Sequence, residues 1–344
     1  MNKLNTTDQD VSIALKQLQQ KMHSIINPSP LQSLKHPLLD SQQLRLSVKR
    51  DDLLHPQISG NKWRKLKYNL LEARKQQVDH IISFGGAYSN HLHALAAAGY
   101  HFGFNTTAII RGESSYADNP TLKQCSAWGM QLQFVTRLEY KKRADPVYLQ
   151  SLQRLYPNAR IVPEGGSSLL AIPGVMETVQ EIVQQAAHPV DHIVTATGSG
   201  GTLAGIVAGV RHYQPNTKVT GIAVLKNAHY LNQEIASLLT DTQLSQPQKP
   251  LLADSDSNQQ QEWILQTEFH HGGYAKVPVK LLDFCEQFMQ QTGIPVEPIY
   301  TGKMFYGLFQ LIEQGYFDKG QHIVALHTGG LQGLNGLKNR QNRG

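Results

Sequence analysis

The stretch TATGSGGTLAGI, residues 195–206, decides the fold because a glycine-rich turn joins two kinds of secondary structure there. The apolar run at residues 192–197 predicts a buried strand, and the small residues from Gly201 onward predict a helix. Backbone N–H groups of such a turn, aided by the positive end of the helix dipole, bind anions such as phosphate. The stretch therefore predicts an α/β fold with a phosphate site.

Short apolar runs alternate with helix-length segments along the rest of the chain. The predicted strands are residues 44–48, 80–84, 106–110, 131–135, 159–162, 193–197, 219–225 and 322–326. The predicted helices are residues 62–76, 89–99, 122–128, 173–185, 202–213, 230–239, 279–291 and 303–313, with a weakly amphipathic helix within residues 1–30. Strands separated by helices predict parallel, doubly wound sheets. The loops after Phe84, Thr197 and Leu326 are then expected to converge at the carboxyl ends of the strands.

Two segments are expected to lie outside this pattern. Residues 240–261 are rich in Gln, Ser and Asp and predict a long exposed loop. Residues 334–344 form a basic tail that is expected to fray.

A second stretch, SGNKWRKLKYNL at residues 59–70, places Lys62 in the opening turn of a predicted helix. A helix N-terminus disfavours a cation, and Arg64 and Lys65 close by act in the same direction, so the neutral amine is favoured. A neutral amine is the form that attacks an aldehyde. Lys65, Lys67 and Lys303 are competing lysines, and a helical lysine is usually a solvated surface residue. An amine and a phosphate cradle together suggest pyridoxal phosphate (PLP) as cofactor.

Alternatives for the turn at residues 198–202 are weaker. The turn lacks the Lys-Ser/Thr pair of a P-loop, and its glycine spacing does not match a dinucleotide-binding turn, which speaks against a nicotinamide oxidoreductase. A tight strand–helix turn without a ligand stays open, but the hydroxyls of Thr197, Ser199 and Thr202 favour phosphate.

The stretch GGAYSNHLHALAAAG, residues 85–99, has the same strand–turn–helix form. Ser89 is a good N-cap, and capping alone would explain it. The functional alternative is a second anion site, in which the N–H groups of residues 89–91 receive a substrate carboxylate. Asn90 could then hydrogen-bond the ring hydroxyl of the cofactor.

Composition excludes several classes of protein. The 344 residues are 40% hydrophobic with a net charge of +6, enough for one large or two smaller domains. The basic residues are scattered, so nucleic-acid binding is not expected. Only Cys125 and Cys285 occur, which predicts no disulfide framework and no metal site. The polar start MNKLNTTDQD and the absence of a long apolar run predict no signal peptide, no membrane contact and a cytoplasmic location.

Seven segments in this order resemble the 1-aminocyclopropane-1-carboxylate (ACC) deaminase/D-cysteine desulfhydrase family. They are SGNKWRKLKYNL, FGGAYSNHLHALAAAG, VPEGGSS (162–168), TGSGGTLAG, HGGYAKVP (271–278), EPIYTGKMFYGL (297–308) and LHTGG (326–330), and the likeness covers residues 44–333. The family has the tryptophan-synthase-β-like PLP fold, fold type II. By resemblance, Lys62 holds PLP, Asn90 its ring hydroxyl and residues 198–202 (Gly198, Ser199, Gly200, Gly201 and Thr202) its phosphate. By the same resemblance, Thr301 and Thr328 lie beside the cofactor ring. The residues implied to surround a small amino-acid substrate are Ser89, Asn90, His91, Tyr274 and Tyr300.

Two positions separate the branches of that family. ACC deaminases carry Glu directly after the Tyr of the YTGK segment and Leu in the HxGG loop, whereas this chain has Thr301 and Thr328, as D-cysteine desulfhydrases do. A carboxylate there would keep the pyridine nitrogen of the cofactor protonated, and a hydroxyl need not. His91 also matches the desulfhydrases. His93 stands where they often have Arg, and Ala87 with Tyr88 is an unusual pair, so the pocket is expected to be its own variant.

The resemblance implies two doubly wound open sheets with the cofactor in the interdomain cleft. The expected domains are a large one of residues 1–63 and 169–344 and a small one of residues 64–168. The expected reaction is α,β-elimination from D-cysteine to pyruvate, sulfide and ammonia, with Lys62, Ser89 and Tyr300 as catalytic residues. ACC deamination and a non-catalytic PLP or amino-acid binding protein are the alternatives. A homodimer is expected.

Overall fold

A computed structural model describes residues 8–58, 60–244 and 262–334, with side chains omitted for residues 241–244. The strands are short and mostly buried. They are β1 (Leu31–Leu34), β2 (Arg45–Lys49), β3 (His80–Gly86), β4 (Asn105–Arg111), β5 (Gln131–Val135), β6 (Ala159–Val162), β7 (His192–Thr197), β8 (Lys218–Ala223), β9 (Trp263–Gln266) and β10 (His322–Leu326).

Helices connect most of these strands. They are α1 (Asp8–Ile25), α2 (Pro37–Gln42), α3 (Asn61–Lys75), α4 (Asn90–Phe102), α5 (Pro120–Ala127), α6 (Arg137–Tyr140), α7 (Pro146–Leu155), α8 (Ala171–Gln185), α9 (Gly201–Tyr213), α10 (Leu231–Leu244), α11 (Val279–Thr292) and α12 (Thr301–Glu313). Within the described part of the chain, no helix has both the length and the apolar character that crossing a membrane requires.

The strands form two sheets, as fold type II predicts. One is four-stranded in the order β5-β4-β3-β6 and entirely parallel, and the other is six-stranded in the order β1-β2-β10-β7-β8-β9. In the second sheet only β1 runs antiparallel to its neighbour. Because helices connect consecutive parallel strands, the chain has the predicted doubly wound α/β class.

The chain divides into two compact units. The four-stranded unit contains residues 8–28, 52–171 and 332–334 of the described chain, and the six-stranded unit contains residues 29–51 and 172–331. This division differs from the predicted one, in which residues 1–63 belonged with the C-terminal part. The reason is packing: Leu18 and Met22 of α1 share a hydrophobic core with Trp63 and Leu66 of α3. Lys62 therefore lies in the same unit as Ser89.

Glycines allow α9 to pack tightly in the six-stranded unit. A Cβ atom at Gly205 would lie 2.4 Å from Val175, and one at Gly209 would lie 2.7 Å from Val179. Both valines are on α8, so only glycine permits this approach of the two helices. The close contact fixes the start of α9, which follows the glycine-rich turn.

Other predicted segments agree with the structure only in part. Of the three loops expected to converge, those after β7 and β10 lie at one edge of the same sheet, because these strands are parallel neighbours, and the loop after β3 belongs to the other unit. Residues 240–244, predicted as loop, continue α10, and residues 245–261 lie outside the described residues. The predicted tail lies outside them from residue 335 onward. The strands β1 and β9 were not predicted at all.

Candidate active site

Lys62 occupies the first turn of α3 in the four-stranded unit. Gly60 precedes the helix with a φ of 67°, a conformation that favours glycine, and no side chain caps the helix. Trp63, Leu66 and Leu70 face the core, while Lys62 itself is only half-buried. The packing of the apolar face thus fixes the direction in which the amine leaves the helix.

Lys65, one of the competing lysines, is fully buried. Its Nζ donates to the carbonyl of Gly165 and to the Ser167 hydroxyl, both at 3.1 Å. Burial, followed by the charge of Lys62, lowers the pKa of Lys65 well below its usual value. Lys65 therefore ties α3 to the turn at Glu164–Gly166 and is less accessible than Lys62.

Ser89 is the N-cap of α4, as predicted. Its Oγ accepts a hydrogen bond from the Leu92 N–H at 3.2 Å. An accepting hydroxyl keeps its own proton, so Ser89 can still donate one to a ligand. Asn90 follows as the first helical residue, and its Oδ1 accepts from the Gln332 side chain at 3.2 Å. Both side chains are half-buried.

The His91 side chain points into the four-stranded unit. Its Nε2 lies 2.8 Å from Oγ of Ser83, and that hydroxyl donates to the Val162 carbonyl at 2.7 Å. Since the serine has one proton, the imidazole carries its proton on Nε2. Burial, then the charges of Lys62 and Lys65, lower the pKa of His91 well below its usual value. His91 is therefore neutral, and only its backbone N–H can join an anion site at the start of α4.

His93 is a second buried histidine on α4. It is 7% exposed, packs edge-on against Trp128 and hydrogen-bonds the backbone of Gln57. Burial lowers the pKa of His93 to about 4. The imidazole at this position thus stays neutral at physiological pH, where an arginine would carry a charge.

This shifted pKa predicts acid sensitivity. The pKa of His93 is lower in the folded than in the unfolded chain, so stability is lost as the pH falls from about 6.5 towards about 4. Between pH 7 and 4.5 we expect the wild type to lose about 2 kcal/mol more unfolding free energy than the His93→Gln variant, measured by urea unfolding. The exposed His23 provides the control: His23→Gln should behave as the wild type, and equal pH dependence of all three proteins would contradict the assignment.

The glycine-rich turn lies in the six-stranded unit, between β7 and α9. Gly200 is the N-cap with a φ of 75° and no side-chain capping bond. A Cβ atom at Gly198 would lie 3.2 Å from Tyr300, and one at Gly200 would lie 3.1 Å from Ile235. The Gly201 N–H donates to the Ser199 carbonyl at 2.9 Å, which closes the turn. A helix start without a side-chain cap and without Cβ atoms fits a phosphate group.

A buried carboxylate organises the start of α12. Glu297 accepts hydrogen bonds from the N–H groups of Ile299, Tyr300 and Thr301, the shortest at 2.7 Å. The Thr301 hydroxyl donates to the same carboxylate at 3.2 Å and accepts from the Glu297 N–H, also at 3.2 Å. Burial raises the pKa of Glu297 to about 7, while these hydrogen bonds lower it. The backbone positions of Tyr300 and Thr301 are therefore set by Glu297.

Two predicted substrate residues meet in this unit. The rings of Tyr274 and Tyr300 are edge-to-face with centroids 6.0 Å apart. The loop after β10 lies at the same sheet edge as the glycine-rich turn, and it carries Thr328, which is 7% exposed. In that loop His327 donates through Nε2 to the Pro295 carbonyl at 2.7 Å and accepts from the Gly329 N–H at 3.2 Å.

Comparison with known proteins matches these features. Residues 24–329 match the model of the family described as pyridoxal-phosphate dependent enzyme. The chain belongs to this family. A Salmonella choleraesuis protein named D-cysteine desulfhydrase is 29% identical over 321 residues, which is 89% of this chain and 93% of that one.

Two further relatives agree. The Arabidopsis thaliana mitochondrial protein named bifunctional D-cysteine desulfhydrase/1-aminocyclopropane-1-carboxylate deaminase is 29% identical over 322 residues, covering 89% of this chain and 77% of that protein. A crystal structure titled as that of an ACC deaminase homologue is 26% identical with a TM-score of 0.76, covering 94% of this chain and 97% of the other. The predicted family, PLP cofactor and α/β fold are confirmed, and the protein is a PLP-dependent enzyme.

The predicted residues of this PLP-dependent enzyme fall on both units. The four-stranded unit carries Lys62, Ser89, Asn90 and His91, and the six-stranded unit carries residues 198–202, Tyr274, Tyr300, Thr301 and Thr328. Their individual roles stay predictions. Sequence reasoning missed Glu297, Ser83 and the complete burial of Lys303. For Glu297 and Lys303, the signal in the sequence was their position at the two ends of the otherwise uncharged segment EPIYTGK.

Proposed function

We propose that this PLP-dependent enzyme catalyses α,β-elimination on a small amino acid and converts D-cysteine and water to pyruvate, sulfide and ammonia. The single observation that supports this choice is Thr301, which directly follows Tyr300 at the start of α12 and has its hydroxyl bonded to Glu297. A threonine at this position presents no second carboxylate. The D-cysteine desulfhydrase name of the Salmonella choleraesuis relative supports the same substrate.

The proposed cofactor contacts are supported by features of each unit. PLP, when bound, withdraws electrons from the α-carbon of the amino acid that it holds. We assign its phosphate to the Gly198–Thr202 turn, where no side-chain cap occupies the helix start. We assign its aldehyde carbon to Nζ of Lys62 and its ring hydroxyl to the Asn90 side chain.

The chain's own groups then bind the substrate and move its protons. The N–H groups at the start of α4 bind the substrate carboxylate, since the helix dipole favours an anion there. Lys62 Nζ accepts the proton of the α-carbon as general base. Ser89, whose hydroxyl retains its proton, or Tyr300 donates a proton during departure of the β-substituent. Tyr274 bounds the substrate beside Tyr300.

The second candidate function is ACC deamination. The Arabidopsis thaliana relative carries both names, and the solved relative is titled an ACC deaminase homologue. Both reactions begin with the same cofactor and lysine, so the shared residues do not separate them. The buried threonines Thr301 and Thr328 favour the elimination.

A substrate panel tests the proposal. We expect purified holoenzyme to release pyruvate and sulfide from D-cysteine and to turn over ACC slowly or not at all. Keto acid and sulfide are measured for D-cysteine, L-cysteine, other D- and L-amino acids and ACC, with Lys62→Ala protein as the blank. Faster turnover of ACC than of D-cysteine would assign the chain to the other branch. Bound PLP without turnover of any substrate would favour a binding protein.

Two further expectations concern the state of the protein. We propose that the protein is a homodimer and that it is located in the cytoplasm. Light scattering of the purified protein measures its molar mass and tests the dimer. A monomer mass would contradict it.

A further inference from the structure

The side chain of Lys303 is a buried cation inside the six-stranded unit. It is 0% exposed, although it lies in the first turn of α12. Its Nζ donates to the Gly273 carbonyl at 2.7 Å, and the Val224 carbonyl lies 3.5 Å away. This lysine was a competitor for the cofactor in the sequence, but its amine is directed at backbone carbonyls of two other segments.

The first of these carbonyls belongs to the turn that carries Tyr274. Gly273 precedes Tyr274, its N–H donates to the His270 carbonyl at 3.0 Å, and its carbonyl also accepts from the Lys276 N–H at 3.2 Å. Gly272 and Gly273 have φ values of 92° and 116°, so the turn has little conformational preference of its own. The Tyr274 side chain is 46% exposed. Packing alone therefore holds this tyrosine weakly, and the bond from Lys303 connects its turn to α12 in addition to the hydrogen bonds within the turn.

The second carbonyl connects Lys303 to the glycine-rich turn. Val224 donates its N–H to the Thr197 carbonyl at 3.0 Å, directly before Gly198. A Cβ atom at Gly198 would meet Val224 at 3.8 Å and Tyr300 at 3.2 Å. Val224 thus adjoins the proposed phosphate turn, and the ring of Tyr300 approaches the same glycine.

Tyr300, the ring partner of Tyr274, is held by a different contact. Tyr300 is held by Glu297, which accepts its N–H at 2.9 Å. The distance of 6.0 Å between the Tyr274 and Tyr300 ring centroids therefore depends on two restraints. Glu297 fixes the Tyr300 end, and Lys303 fixes the Tyr274 end.

We propose that Lys303 is a positioning residue for the substrate, which holds the Tyr274 turn in place and thereby sets the spacing of the Tyr274–Tyr300 pair. This inference rests on the proposed function only in treating the two tyrosines as the wall against which a small amino acid binds. The spacing limits the size of substrate that fits beside Tyr300.

The charge state is consistent with this role. Burial lowers the pKa of Lys303 to about 8, while the charge of Glu297 opposes the shift. At neutral pH the amine is therefore mostly protonated and has three protons to donate. A buried ammonium needs hydrogen-bond acceptors, so its bonds to the carbonyls are retained as long as the lysine is charged.

Hydrogen exchange of the purified full-length protein gives a readout that does not depend on activity. In Lys303→Met, which keeps most of the length of the side chain and removes the donor, we expect faster exchange at residues 273–276, with α11 unchanged. Lys303→Gln keeps an amide NH2 donor on a shorter side chain and should give intermediate protection. The exposed Lys280 is the control, since Lys280→Met should leave the turn as in the wild type.

A double-mutant cycle tests the connection to the substrate. We expect Lys303→Met to retain PLP and to lower kcat/KM for D-cysteine by about tenfold to a hundredfold, mainly through KM. If the lysine acts through Tyr274, Lys303→Met combined with Tyr274→Ala should lose little more than Tyr274→Ala alone. If Lys303→Met does not fold, Lys303→Gln takes its place in the cycle.

The exchange experiment and the double-mutant cycle distinguish a failure of the inference on Lys303 from a failure of the proposed function. Unchanged exchange at residues 273–276, or fully additive losses in the cycle, would overturn the positioning role. If the enzyme turns over neither D-cysteine nor ACC, the proposed function fails, and the exchange experiment alone decides on Lys303.

Discussion

Replacement of Lys62 by alanine is expected to lower keto-acid release from D-cysteine by about a thousandfold or more, because one side chain both holds the cofactor and moves the α-proton. The structure favours Lys62 over Lys65 and Lys303. Nζ of Lys65 and Nζ of Lys303 each donate to backbone carbonyls in the interior of a unit. Lys62 is half-buried at the start of α3, beside the neutral His91.

Borohydride reduction followed by peptide mapping locates the lysine directly. We expect the pyridoxyl group on the peptide that contains Lys62, and none on this peptide in the alanine variant. Lys75→Ala, at an exposed position on the same helix, is the matched control and should keep both activity and labelling. A pyridoxyl group on Lys65 or Lys303 in the wild type would show that the assignment is wrong.

Strands with a strong apolar signal could be predicted from the sequence. The predicted limits of β5, β6 and β10 coincide with those of the structure. The two missed strands, β1 and β9, have four residues each and lie at opposite edges of the six-stranded sheet. Such strands form because a neighbouring strand offers a hydrogen-bonding edge, and that interaction is tertiary.

The boundary between the two units could not be predicted from the sequence, again because it depends on tertiary contacts. The apolar residues Leu18 and Met22 give α1 only a weak amphipathic pattern in the sequence. Their burial against Trp63 is a contact between segments more than 40 residues apart, which no local pattern reports. Because of this contact, Lys62 and the Ser89 cap belong to one unit.

Glycine turns and helix caps could be predicted because they follow local rules. Ser89 caps α4, and the turn at residues 198–200 precedes α9, as expected. The positions of Glu297 and Lys303 could not be predicted, since a charged residue near a helix start is usually solvated. Only the fold shows that both are buried and bonded to the segments that carry Tyr274 and Tyr300.

The second large effect is expected for Gly200→Asp, which should weaken PLP binding by at least about tenfold relative to Gly200→Ala. Both side chains introduce a Cβ atom 3.1 Å from Ile235 at a φ of 75°, so both variants carry a strain that glycine avoids, and the alanine variant shows its effect on PLP binding without an added charge. The aspartate adds a negative charge at a helix N-terminus that is proposed to bind phosphate. A loss of about 1–3 kcal/mol is typical when a charged contact is left unsatisfied.

Comparison of the two variants isolates the charge from the strain. PLP retention after dialysis, measured by cofactor absorbance, should follow the order wild type, Gly200→Ala, Gly200→Asp. Thermal unfolding of the cofactor-free proteins should show no larger loss for Gly200→Asp than for Gly200→Ala, because at a helix start without phosphate the aspartate carboxylate can cap N–H groups. Weaker PLP retention in Gly200→Asp then reports the phosphate contact and not a loss of stability. Equal or better cofactor retention in Gly200→Asp would therefore place the phosphate elsewhere in the protein.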